Sequence, residues 1–209
     1  MSKITSLSPQ KHDPERINVE LDGHFAFGIS RLLAASRGFF VGQDLSTVDL
    51  DELRRDDDVE RAYNAALNFL TYRPRSRKEI ADYLRKRKTD PDAIEAAIDR
   101  LQNAGFLDDD EFARFWVDNR QSFRPRGTRA LRAELRQKGL ANDVIDGTLE
   151  ALGDEEPAAV KAGRSKARTY ARLEEREYMR KMTAFLQRRG FPYEVAARAA
   201  RQLLSEANE

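Results

Sequence analysis

Ile80 and Leu84 recur 51 residues later as Leu131 and Leu135, and 51 later again as Met182 and Leu186. Ile94, Ile98 and Leu101 recur in the same way, as Ile145, Leu149 and Leu152 and then as Ala196, Ala200 and Leu203. Both sets are spaced as one apolar stripe along a helix. The helix ends recur too, with Gly139 and Gly190 each followed by an apolar residue, Leu140 and Phe191. So does the lead-in to the basic helix, since YRPRSRKE (72–79) and FRPRGTRA (123–130) place an aromatic and a proline at the same offset. A unit this short cannot bury its apolar faces alone, so neighbouring units are expected to stack. The predicted fold is mainly α, with three tandem three-helix repeats in an elongated, curved array behind a small N-terminal β-hairpin region. In the third repeat Arg176 stands where proline is expected, and residues 158–189 hold no strong breaker. Its first two helices are therefore expected to run together.

The first 30 residues read differently. INVEL (17–21) alternates Ile17, Val19 and Leu21, and HFAFGI (24–29) alternates Phe25, Phe27 and Ile29. Asp22-Gly23 between them is the dipeptide favoured in a two-residue hairpin turn. ITSLS (4–8) is available as a third strand. Ser30 is placed to cap a short helix ended by Gly38, and Ser46 or Thr47 to cap another over VDLDELRR. The expected divisions are 1–56 for the hairpin region with short helices, then 57–107, 108–153 and 154–209 for the three repeats.

Charge follows the same ruler although the formal net charge is only +1. Residues 71–88 hold eight Lys/Arg against two Asp/Glu, and 90–111 hold one against eight. Residues 114–138 return to eight against two, and 139–156 have none against six. The second helix of each repeat is thus basic and the third acidic. The candidate binding residues are Arg73, Arg75, Arg77, Lys78, Arg85 and Arg87, then Arg124, Arg126, Arg129, Arg132, Arg136 and Lys138. Lined up by stacking, they would form a stripe able to attract a polyanion. The competing reading is internal neutralisation by the acidic helices, although isolated exposed pairs contribute only about 0–1 kcal/mol each. Arg126 and Arg132 are expected to project to solvent, and Leu135 to be buried.

Several chemistries are missing. There is no cysteine, and the two histidines, His12 and His24, lie in the N-terminal region. No GxxxxGK[ST], HExxH or GxSxG motif occurs. Carboxylates at 108–111 (DDDE) fall where a helix begins and are read as caps. Trp116, with Phe112, Phe115 and Phe123, follows helical spacing and is read as core rather than as a base-stacking platform. No cofactor, metal site or catalytic residue is expected. MSKITSLSPQ lacks a signal-peptide core and no apolar run approaches a membrane span, so a cytoplasmic location is expected.

RPRSRKEI (73–80), LQNAGFLDDDEFARFWVDNR (101–120) and RGTRALRAELRQKGL (126–140) resemble the RecX regulatory proteins of bacteria. The β-rich start (4–30) is similar to the N-terminal extension of some members. The resemblance implies tandem three-helix units and a non-enzymatic modulator of the RecA recombinase. Such a protein would lie in the groove of the RecA–single-stranded DNA filament, as a monomer, restraining ATP hydrolysis, strand exchange and filament growth. A direct DNA-binding repeat protein is the alternative.

Overall fold

Asp22 and Gly23 both take positive φ, 52° and 83°, which closes a tight hairpin between β2 (Arg16–Leu21) and β3 (His24–Ser30). With β1 (Ser2–Pro9) and β4 (Asp44–Leu45) they make an antiparallel sheet in the order β3-β2-β1-β4. The structure is a computed structural model that describes residues 1–208. Ile4, Val19 and Ile29 from one face of this sheet pack on Ala34 of α1 (Arg31–Ser36), on Leu45 and on Leu53. Val19 pairs with Phe27 but Glu20 pairs with Phe25, so Ala26 is an extra residue in β3. This bulge breaks the expected alternation: Ile29 is buried, whereas Phe25 is 65% exposed.

Ser46 caps α2 (Thr47–Leu70) in a reciprocal capping box with Asp49. No Gly or Pro interrupts the next 24 residues, and they form one helix that crosses the expected division at 56/57. Its first half covers the sheet. Its second half packs with α3 (Arg77–Lys86) and α4 (Pro91–Asn103), where Ile80, Leu84, Ile94, Ile98 and Leu101 are buried. Asp90 caps α4 with Pro91 in its first turn, and Gly105 follows its end at φ 73°.

Two compact units result, Met1–Arg73 with Ile80–Phe106, and Pro74–Glu79 with the chain from Leu107 onward. The second unit contains α5 (Asp109–Phe123), α6 (Thr128–Gln137), α7 (Asn142–Glu150), α8 (Glu156–Tyr170), α9 (Glu175–Arg188) and α10 (Tyr193–Asn208). The recurring apolar positions fill its two cores. Phe112, Val117, Leu131, Leu135, Ile145 and Leu149 line one, and Tyr178, Met182, Leu186, Phe191, Ala196, Ala200 and Leu203 line the other. The chain is mainly helical, with three tandem three-helix domains behind an N-terminal strand region.

Contrary to expectation, α8 and α9 do not run together. The chain breaks at Ala171–Glu174, where Glu174 is extended at ψ 143°. A continuous helix would carry Tyr178, Met182 and Leu186 away from Ala159, Val160 and Ala162. Burying that face outweighs local helix propensity, and Leu173 packs on the same core. No helix among the described residues is long and apolar enough to cross a membrane.

Candidate functional site

The segment linking α5 to α6, Arg124–Gly127, forms a sharp elbow that the end of α9 holds in place. Gly127 N–H donates to the Arg189 carbonyl at 3.0 Å. A Cβ on Gly127 would lie 2.4 Å from the Gly190 backbone, so only glycine permits this approach. Gly190 itself has φ 93°. The Thr128 N–H and Oγ1 both donate to the Glu155 carboxylate, at 2.7 and 2.9 Å, which caps α6. Arg189 Nη1 donates to the Pro125 carbonyl at 3.5 Å, and Lys161 Nζ to the Gln121 carbonyl at 3.1 Å.

A similar joint recurs 51 positions earlier at Ser76, Arg77 and Lys138, with its capping acid supplied from a different offset. Ser76 Oγ donates to the Lys138 carbonyl at 2.7 Å, and Arg77 N–H donates to Asp109 Oδ1 at 3.1 Å. Asp109 thus caps α3, although the sequence suggested only a role at the start of its own helix. That local role falls to Asp108, which accepts from Asp110 N–H and Glu111 N–H. Burial raises the Asp109 carboxyl above its ordinary value, outweighing the Arg77 N–H and the positive charge of Arg77. An acid raised in this way favours folding below its ordinary value, about 4, and that contribution fades as pH climbs through the raised value. Asp109→Asn keeps an acceptor for Arg77 N–H without the buried charge. Its urea midpoint should therefore equal or exceed that of the natural protein at neutral pH, with a flatter slope on the acid side. A lower midpoint at neutral pH would mean that the charge itself is needed at the α3 N-terminus.

Most of the expected basic stripe is engaged within the fold. Arg126 Nε lies 3.2 Å from Glu134, which also accepts from Arg120 at 2.7 Å and from Trp116 Nε1 at 2.9 Å. Arg132 pairs with Asp146. Both side chains reach solvent, 40% and 37% exposed, but each does so with an acid partner beside it. Their acids stand eight and 14 residues away in sequence, Glu134 on α6 itself and Asp146 on α7, within reach of Arg132 once α6 and α7 pack. Lys138 pairs with Glu79 at 2.6 Å and lies over the Trp116 ring, while Lys78 Nζ donates to the Gln137 carbonyl at 2.9 Å. Arg136 Nε donates to Asn142 Oδ1 at 3.2 Å. In the first unit Arg85 pairs with Asp82 at 2.6 Å, and Arg87 lies 5.4 Å from the Tyr83 ring centre. Arg73, Arg75 and Arg77 are half-buried and have partners of their own.

Arg124 and Arg129 stand apart: both are exposed, and neither has an ion-pair partner among the described residues. The fold brings to them a cation absent from the candidate set, Arg189. Burial first, then the positive charges of Arg126 and Arg124, push its guanidinium below its ordinary value. Arg189 stands 51 residues after Lys138, so the repeat spacing was the signal that could have found it.

Phe123, read from its spacing as core, is 78% exposed. The core stripe of α5 runs through Phe112, Ala113 and Val117 and stops there. In the last turn Arg120 and Gln121 are tied to Glu134, Lys161 and the Arg126 carbonyl, while the last aromatic stays exposed. Tyr72, the matching residue one repeat earlier, is 84% exposed.

Comparison with known proteins accounts for the whole arrangement. Residues 62–101, 108–149 and 154–200 match the family models for the first, second and third three-helix domains of RecX. Residues 2–46 match that of the regulatory protein RecX N-terminal domain. The regulatory protein RecX of Bacillus subtilis (strain 168) is 34% identical over 211 residues, covering 100% of this chain and 80% of that protein. Its counterpart in Listeria monocytogenes is 32% identical over 206 residues, covering 98% and 77%. A crystal structure of regulatory protein RecX shares the fold, with a TM-score of 0.80, 24% identity and coverage of 99% of this chain and 100% of that one. RecX from Lactobacillus salivarius superposes with a TM-score of 0.64 at 27% identity, over 71% of this chain and 97% of that one. The chain belongs to the RecX family of regulatory proteins.

Proposed function

We propose that this protein is a negative modulator of the RecA recombinase. In this reading it binds along the RecA–single-stranded DNA filament and restrains ATP hydrolysis, strand exchange and filament growth in recombination and DNA repair. It acts as a cytoplasmic monomer, by binding and without chemistry of its own. The observation that carries the reading is the uncompensated cation set at the α5–α6 elbow, Arg124, Arg129 and Arg189, in a chain of the RecX family. These charges suit a polyanionic surface, whereas the rest of the expected stripe is occupied internally. Inhibition then follows from differential affinity: a protein that prefers one filament conformation or an exposed end shifts the balance toward it.

The test is ATP hydrolysis by a RecA filament on single-stranded DNA, with this protein added below stoichiometry. Hydrolysis should fall, and Arg124→Gln with Arg129→Gln should relieve most of the fall while leaving the unfolding midpoint unchanged. Unaltered hydrolysis with the natural protein would remove the proposal. The second reading, a direct DNA binder, is favoured by the same unpaired arginines. It requires affinity for DNA without RecA, with a log–log salt slope of about −0.7 per phosphate contacted on a single strand.

A further inference from the structure

An aromatic ring held out into solvent at the end of a helix costs exposed apolar surface, and Phe123 bears that cost beside unpaired cations. Three observations coincide at the elbow. Phe123 is 78% exposed, in a helix whose Phe112 and Val117 are buried. Arg124, the next residue, is exposed, as is Arg129 in the first turn of α6, and neither has an ion-pair partner among the described residues. Arg189 is fixed against the Pro125 carbonyl, with its charge opposed by Arg124 and Arg126 rather than relieved by an acid. The nearby acids are already committed, Glu134 to Arg120, Arg126 and Trp116, and Glu155 to Thr128.

We propose that the elbow takes a single nucleic-acid strand directly, with a base stacked on Phe123 and the adjoining phosphates on Arg124, Arg129 and Arg189. A duplex keeps its bases stacked within itself and offers the ring nothing. A splayed strand offers π-faces together with phosphates, and its recognition in general combines aromatic platforms with a basic track. An acidic peptide would satisfy the arginines but leave the ring without a use. The backbone bonds from Gly127 to Arg189 and the Glu155 cap fix the elbow before any ligand arrives, so little ordering is left to do on binding. The inference rests on the filament reading only for the setting in which the strand is met.

The experiment measures binding of a labelled short oligothymidylate, and of an abasic strand of equal length, to the natural protein and to Phe123→Ala and Phe123→Trp. Phe123→Ala should weaken oligothymidylate binding by about 5- to 150-fold, which corresponds to about 1–3 kcal/mol for one stacked base. It should leave abasic-strand binding unchanged, and Phe123→Trp should restore the loss. Equal affinity of Phe123→Ala and the natural protein for oligothymidylate overturns the inference, as does an equal loss on both strands. Weakened binding to DNA-free RecA with unchanged oligothymidylate binding also overturns it, placing a protein partner on the ring. The filament reading is scored separately by ATP hydrolysis. A natural protein that stacks bases without slowing hydrolysis sinks that reading alone, and one that slows hydrolysis with Phe123 inert on DNA sinks this inference alone.

Discussion

Asp57→Ala is expected to cost about 3–5 kcal/mol and to loosen the N-terminal sheet from α2, the scale found when one member of a buried ion pair is removed. Asp57 is nearly buried, and its two oxygens accept from Arg16 Nη2 at 2.7 Å and from Ser30 N–H at 3.1 Å. The same Arg16 nitrogen donates to the Gly28 carbonyl at 2.8 Å. One carboxylate on α2 therefore holds β2 through a guanidinium and the end of β3 through the backbone. Alanine would leave Arg16 with one partner and the Ser30 N–H, in a residue only 9% exposed, with none. Arg16→Met combined with Asp57→Leu should recover part of the loss, since no charge is then stranded. Recovery should stop short because the Ser30 N–H and Gly28 carbonyl stay unpaired. Urea unfolding followed by far-ultraviolet circular dichroism reads both outcomes. A midpoint for Asp57→Ala equal to that of the natural protein would mean that the sheet is held by its apolar face alone.

How far the sequence reached depended on the range of the physics involved. Positions decided by periodicity or by a turn were legible. Leu84, Leu135 and Leu186 are buried as the 51-residue spacing requires, and Asp22-Gly23 turns as its φ preference dictates. Features decided by packing between distant segments were not. The break between α8 and α9 has no Gly or Pro to announce it and follows from the need to fold Tyr178 back onto Ala159 and Val160. Arg132 looked like free surface charge because Asp146, which receives it, lies on a different helix. Phe123 failed in the opposite direction. It shares the helical phase of Phe112, but the buried stripe is centred on Ala113 and Val117, so Phe123 falls at its edge and stays exposed. The candidate site was thus half legible: the basic segments that contain it were written in the repeat, while which of their arginines lack an acid partner follows from the tertiary fold.

Leu135→Ala should destabilise the protein by about 2–5 kcal/mol, the range for removing a buried leucine side chain that its surroundings only partly refill. Leu135 is fully buried among Phe112, Ala113, Val117, Leu131, Leu140 and Ile145, and no disulfide supports this core. Its carbonyl also accepts from Leu140 N–H at 3.3 Å where the chain turns through Gly139. The same helix carries Thr128 and Arg129 at its other end, so loosening Leu135 should disturb the elbow as well as the core. Leu135→Ala is accordingly expected to lose both stability and strand binding, whereas Arg124→Gln with Arg129→Gln should lose binding alone. Measuring both quantities for both variants separates a packing residue from a contact residue more firmly than either assay by itself. Were Leu135→Ala to keep its urea midpoint, the second repeat could not be packed around this side chain. Were the double arginine variant to lose its midpoint instead, Arg124 and Arg129 would have to be holding the elbow together, and the unpaired cations would no longer mark a site.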